Sequence, residues 1–528
     1  MSSVSRSFAF VALGRLCIAS SMPAGLLFSC YGTRTSFSQS APTQEMHGLT
    51  PTTSSPTPTK IPPSPAATAI LTPTSSPVSI AQELPAVLAH YSFVVELNYP
   101  GRALKVSQRI DVRNNSPDHW ETLVLHAPAN RLPGAFSLEN MLSSDTASMA
   151  LPFTYDEVTL TYTLLLPSRL PPGESMALQL DYALAVPPTS YNDWPPTGDF
   201  GYSEQIMQLG NWYPVLVPYV PGAGWSTWRY IEIGDPYVTE VAVYDLSVHA
   251  SQGLVVAAGG ERTDLPEGWR FQFDSARAIA FSVSPNYRVL CDVAGAISVC
   301  SYYLPEHVSA GEDVLQAAIQ AIPLFSRLYG PYPYSSLVIA EDAFFGSMEY
   351  TGFILHSGAG YARYEGRPDS MLIALTAHEV AHQWWYSLVG SDQVNEPWID
   401  EALAMYSELA FYREYHPGLE NWFWASRVGV YRPSGPLDRS IYDFPDSQTY
   451  IQQLYRRGVQ FLDELAAAMG HDAFSAFLQE FRERGANRIV TTDQFFELLV
   501  RHDGGRATSI VDSFFSDPAR YAQRTPTP

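Results

Sequence analysis

The chain has 528 residues, 46% of them apolar and 13% aromatic, which is enough for two or three cored domains and excludes a wholly disordered polypeptide. Its 53 acidic against 31 basic residues leave a net charge of −22, which disfavours nucleic acid and anionic membrane surfaces as partners. Four cysteines are too few to suggest a thiolate zinc site.

Residues 1–30 read as an export signal, with Arg6 and Arg15 ahead of a mainly apolar run from Leu16 to Ser29. Arg15 and Pro23 interrupt that run too much for a transmembrane helix. Leu27-Phe28-Ser29-Cys30 resembles a bacterial lipoprotein box in which Cys30 becomes the lipidated first residue, although Phe28 is atypical there. Anchoring to the cell envelope at Cys30, plain secretion and an uncleaved anchor all stay open. Residues 31–87 are crowded with Pro, Thr and Ser, as in Thr50 to Pro58, and are expected to form a disordered tether.

Residues 88–287 show strand patterning in Tyr91–Leu97, Leu160–Leu164 and Val238–Val248, with turn signals such as Pro171-Pro172-Gly173 between, and predict a β-sandwich-like domain. Cys291 and Cys300 flank a short predicted hairpin, which a disulfide can bridge in an exported protein. Through 288–528 the spacing turns helical, over Asp313–Leu328, Met371–Leu388, Asp400–Tyr415, Gln448–Met469, Ala473–Arg484 and Thr492–Arg501. A strand-rich patch, Ser336–His356, interrupts these helices.

His378-Glu379-Val380-Ala381-His382 carries the chemistry. On a helix the two histidines lie one turn apart on one face and can share one tetrahedral Zn2+, which needs one more protein ligand and a place for water. Glu401, nineteen residues after His382 and near the start of the next predicted helix, fits as that ligand. Glu379 is then placed as the general base.

These residues, with Trp398-Ile399-Asp400-Glu401-Ala402, resemble the aminopeptidase N family of zinc metallopeptidases, within the gluzincins. Two more motifs share the resemblance. Gly346-Ser347-Met348-Glu349-Tyr350 is similar to the family's G-x-M-E-N, which implies that Glu349 binds the substrate's free amino group from an edge strand. Tyr455-Arg456-Arg457-Gly458 is similar to Y-x-K-G, which implies that Tyr455 stabilises the oxyanion; Tyr450 also matches a tyrosine of some members. Gln208, Asn211 and Trp212 lie where a family loop approaches substrate, without a match close enough to assign them. Tyr350 departs from the usual asparagine and puts the subsite's shape in question.

The expectation is a multidomain α and β protein: a β-sandwich-like domain, then a thermolysin-like α+β catalytic domain holding one zinc. Only 73 residues follow Tyr455, too few for the family's large C-terminal helical domain, so the cleft is expected to be open and to admit longer peptides. The expected activity is removal of N-terminal residues from peptides with a free amino end. The rivals are a thermolysin-like endopeptidase and an inactive zinc-containing surface binding protein.

Overall fold

Alternating side chains build the first domain. In Ala89–Asn98, Tyr91, Phe93 and Val95 are buried while Val94 and Glu96 face out, the two-residue period of a half-buried strand. This strand pairs antiparallel with Ala103–Arg113 and parallel with Ala242–His249, inside an eight-stranded sheet. Two four-stranded sheets pack against it. Leu123 and Leu164 from one, and Met207 and Phe281 from the other, share a core with Phe93, Val106 and Leu180. This computed structural model describes residues 89–144, 149–190 and 198–522; the expected signal (1–30) and tether (31–87) lie outside the described residues.

The strand expected from Val238 begins only at Ala242. Upstream, main-chain acceptors serve other elements: Pro236 O takes the Trp228 indole N–H at 2.8 Å and Thr239 O takes Arg277 Nη1 at 2.5 Å.

The second domain starts with a five-stranded sheet: β1 (Arg288–Ala294), β2 (Ile297–Tyr303), β3 (Ser336–Glu341), β4 (Met348–Tyr350) and β5 (Phe353–His356), in the order β1-β2-β3-β5-β4. Cys291 and Cys300 stand opposite each other on β1 and β2 and form a disulfide. β4 is the antiparallel edge strand, and its outer side pairs with no other strand among the described residues.

Six longer helices accompany this sheet: α1 (Val308–Tyr329), α2 (Met371–Ala381), α3 (Trp398–Tyr415), α4 (Arg457–Met469), α5 (His471–Gly485) and α6 (Thr492–Asp503). Among the described residues, none is long and apolar enough to cross a membrane. α2 opens on a Ser370 cap bonded to Ile373 N and is buried nearly all round, as a helix at the centre of a core must be.

α2 is shorter than expected. It ends at Ala381 rather than Leu388, and Gln383–Leu388 forms a wider π-type turn that departs from helical geometry at Trp385 and Tyr386. The departure turns two carbonyls outward: Trp385 O lies 3.1 Å from His382 Nδ1, and Tyr386 O accepts from Arg277 Nε at 2.7 Å. Helical periodicity cannot see this, because the residues concerned are as apolar as a helix interior.

Candidate metal centre and active-site cleft

Residues 378 and 382 occupy successive turns of α2, with ring centroids 4.7 Å apart. Glu401, in the first turn of α3, reaches over both. Its Oε2 is 3.2 Å from His378 Nε2 and 3.7 Å from His382 Nε2, and the three donor atoms all lie within 4.8 Å of one another.

The outer nitrogens are held as well. His378 Nδ1 is 2.9 Å from Glu408, two turns beyond Glu401 on α3, and Arg427 donates to both Glu408 oxygens at 2.9 and 2.7 Å. His382 Nδ1 is 2.7 Å from Asp400, which accepts from Gln393 at 2.8 Å. Such partners fix tautomer and ring orientation and leave each Nε2 facing Glu401. Burial pushes the His378 imidazole down, but Glu401 and Glu408 outweigh it and raise it to about 9. Burial also opposes charge on Glu401, and its bond to His378 reverses this and lowers it. The triad therefore favours positive charge at its centre.

A tetrahedral zinc fits these residues. Two imidazoles and a carboxylate are a catalytic zinc's protein donor set, and Glu379, adjacent in sequence, has a buried Oε2 with no hydrogen-bond partner among the described residues. Burial pushes the Glu379 carboxyl up to about 7, with the two imidazoles pulling against it.

Tyr455 comes from the π-type turn Gln452–Arg456 that leads into α4. Its hydroxyl helps to hold Glu401 charged, and its ring stacks on His378 with centroids 5.7 Å apart and planes 1° from parallel. Gly458 lets α4 lie close enough, since a Cβ there would overlap the Ala402 Cβ on α3. Tyr450 is buried beside Tyr455, with centroids 5.8 Å apart.

Glu349 sits on β4, buried, in a cleft of about 320 Å³ that also contains the ligands, Glu379 and Tyr455. Gln383 ties the β4–β5 hairpin to the end of α2, donating to Tyr350 O at 3.1 Å and accepting from Gly352 N at 2.8 Å. The cleft also contains Asp235, from the stretch before Ala242. Burial raises both carboxyls, Glu349 and Asp235. An arriving ammonium would offset the penalty of charging them.

Tyr350 does not reshape the cleft. Its side chain lies behind β4, and its hydroxyl donates to Asp199 at 2.8 Å. Asp199 also accepts from Asn211 at 2.9 Å and pairs with Arg131 at 2.5 Å, all of it buried. Asn211 thus belongs to this network, Gln208 braces the Ala343 and Gly198 main chain at 3.1 and 2.8 Å, and Trp212 packs in the sandwich core. None of the three lines the cleft.

Glu408, Asp400, Asp235 and Arg427 were not anticipated. Glu408 was findable, because it follows Glu401 by seven residues and so shares its face of α3. Asp235 carries no comparable signal.

The model of the peptidase family M1 domain matches residues 314–517, the span holding every one of these motifs. Over that span the chain is similar to the M1 peptidase family. Endoplasmic reticulum aminopeptidase 1 of Rattus norvegicus is 22% identical over 257 residues, covering 46% of this chain and 28% of the relative. Aminopeptidase N of Streptomyces lividans is 27% identical over 210 residues, 35% of this chain and 24% of the relative. The chain thus matches about a quarter of the length of these curated relatives. In fold, an M1 zinc metallopeptidase from Deinococcus radiodurans superposes with a TM-score of 0.56 at 18% identity, covering 84% of this chain and 94% of that one. A two-domain M1 zinc metallopeptidase bound to L-tryptophan gives 0.57 at 17%, over 84% and 95%. The M1 domain is accordingly joined to its β-rich partner in a two-domain plan.

Proposed function

We propose that the protein is a zinc-dependent aminopeptidase, and the observation that carries this reading is the unpartnered Glu379 oxygen beside the three convergent donors. Zinc held by His378, His382 and Glu401 would supply Lewis-acid activation of a water and of the scissile carbonyl. Glu379 takes the proton of the attacking water and passes it to the departing amine. The Tyr455 hydroxyl donates to the oxygen on which negative charge develops. Glu349 and Asp235 pair with the substrate's ammonium, and the outer edge of β4 aligns its main chain.

The acidic end of the cleft favours an exopeptidase over an endopeptidase. One related structure, a mutant M1 zinc metallopeptidase from Deinococcus radiodurans, holds a Tyr-Ser-Ala substrate. Glu379→Gln should bind one zinc per chain and lose turnover of aminoacyl amides; near-normal turnover in that variant would refute the assignment. N-acetylation of a substrate peptide should abolish cleavage, and equal cleavage of blocked and free peptides would favour the endopeptidase.

Export, with lipid attachment at Cys30 or secretion, is proposed from the amino-terminal sequence, and the Cys291–Cys300 disulfide is in keeping with an oxidising compartment. Metabolic labelling with palmitate, compared between the native chain and Cys30→Ala, distinguishes the two.

A further inference from the structure

Two arginines line the cleft, and only one is neutralised. Arg427 carries its charge against Glu408. Arg456 is 7% exposed, and among the described residues no carboxylate lies within 4.0 Å of it. Its Nε donates to Arg427 O at 3.2 Å, and its guanidinium carbon stands 3.4 Å above the centre of the Tyr431 ring. Its two terminal nitrogens donate to nothing among the described residues.

A buried guanidinium without a counter-ion is costly. Burial, with Arg427 adding to it, pushes Arg456 down to about 10. The Tyr431 face offsets part of the cost and holds the fork flat. An anion brought in by the ligand would offset the rest.

The cleft is divided by charge. Burial raises the Glu349 carboxyl, and the acidic groups it lies among, Asp235 and Glu379 among them, raise it further, whereas Arg456 lies against the Arg427 main chain and the Tyr431 ring. The donor triad and Tyr455 line the same cleft. A peptide whose ammonium meets Glu349 and whose first carbonyl meets Tyr455 can bring its next groups to Arg456, which lines the same cleft.

We propose that Arg456 is a carboxylate subsite of this cleft, so that its preferred substrates are short peptides carrying an anion just beyond the scissile bond. The carboxylate is either the free C-terminus of a di- or tripeptide or an acidic side chain at the following residue. A planar guanidinium fork matches a carboxylate's two oxygens, which a lone ammonium would not. The cleft volume of about 320 Å³ is at the small end for ligand sites and suits such peptides. This runs against the longer peptides expected from an open cleft. It rests on the aminopeptidase reading for the direction in which the peptide lies.

The test uses Ala-Ala and Ala-Ala-Ala, their C-terminal amides, and Ala-Glu amide. kcat/KM is measured on the zinc-loaded protein, and Kd by calorimetry on zinc-loaded Glu379→Gln. Free acids should exceed amides by about tenfold or more in both, as a charge-assisted pair implies. Arg456→Gln should bring both ratios to about one. Arg456→Lys, which keeps the charge, should retain a ratio of about threefold and serves if the glutamine variant does not fold. Ala-Glu amide matching the free acids identifies the side chain as the source; Ala-Glu amide behaving like the other amides identifies the C-terminus. Acid-to-amide ratios of one in the native chain, or ratios unchanged in Arg456→Gln, overturn the proposal. Equal hydrolysis of acids and amides removes the subsite and leaves the aminopeptidase, whereas acid-selective binding without hydrolysis does the reverse. If no peptide is either bound or cleaved, both fall.

Discussion

Glu408 reaches His378 from behind, 2.9 Å from Nδ1, while Arg427 clasps both of its oxygens. A metal-binding imidazole whose second nitrogen is fixed in this way is a better and better-aimed donor. Glu408→Gln keeps the shape and removes the charge. Its zinc affinity should fall about 10- to 100-fold, read by competition with a chromogenic chelator. Native affinity in that variant would show that the contact does not support the metal site.

The Tyr350 hydroxyl joins β4 to the first domain through two buried hydrogen bonds, donating to Asp199 at 2.8 Å and accepting from Asn211 at 3.3 Å. Tyr350→Phe deletes the donor but leaves Asp199 paired with Arg131 and Asn211. The expected loss is about 1–2 kcal/mol in urea unfolding. Because Glu349 precedes Tyr350 on the strand, KM for free-amine substrates should rise more than kcat falls. A variant with lowered kcat and unchanged KM would place the effect elsewhere.

The metal ligands were legible because their chemistry needs fixed residue types at a helical spacing, and a spacing survives in sequence. The Tyr350 substitution was legible as a departure but not in its consequence, since side-chain direction on an edge strand depends on which face the neighbouring domain covers. Arg131 and Asp199 are 68 residues apart and meet only after the sandwich closes. Asp235 escaped for a similar reason: it sits where strand patterning fades, and its place beside Glu349 comes from tertiary packing. The end of α2 was misread because Gln383-Trp384-Trp385-Tyr386 satisfies helical burial while its carbonyls serve His382 and Arg277.

Two histidines outside the cleft are held neutral, and this sets an acid limit on stability. Burial pushes His126 down to about 3, with Arg131 assisting, and burial likewise lowers His356 to about 3. In the unfolded chain each titrates near 6.5, roughly. Between those values the unfolded chain binds protons that the fold refuses, so stability is fully present above about 6.5 and is lost as pH falls toward 3. His356 is bonded to Ser347 and Thr376, both at 2.9 Å, and glutamine can replace it as a polar partner without titrating. In His356→Gln the slope of unfolding free energy against pH should drop by about 1.4 kcal/mol per pH unit between pH 4 and 6, roughly. Urea unfolding of the metal-free protein measures this, and an unchanged slope would mean that His356 takes its proton in the fold.

Gly458 brings Tyr455 to Glu401 by allowing α4 to touch α3 at Ala402. In Gly458→Ala the added methyl overlaps the Ala402 Cβ, and the helices must separate. Overpacking of this kind costs about 1–3 kcal/mol in stability. The same displacement carries the Tyr455 hydroxyl, three residues upstream, away from the charge it is proposed to stabilise, so kcat should fall with little change in KM. Tyr455→Phe should lose about 10²- to 10³-fold in kcat without the stability cost, the scale of one oxyanion donor. Stability loss alone cannot separate a packing role from a positioning role, but combining the substitutions can. If Gly458 acts through Tyr455, Gly458→Ala introduced into Tyr455→Phe should lower kcat hardly further, because the hydroxyl it misplaces is already gone. Fully multiplicative losses would show that the glycine serves packing alone.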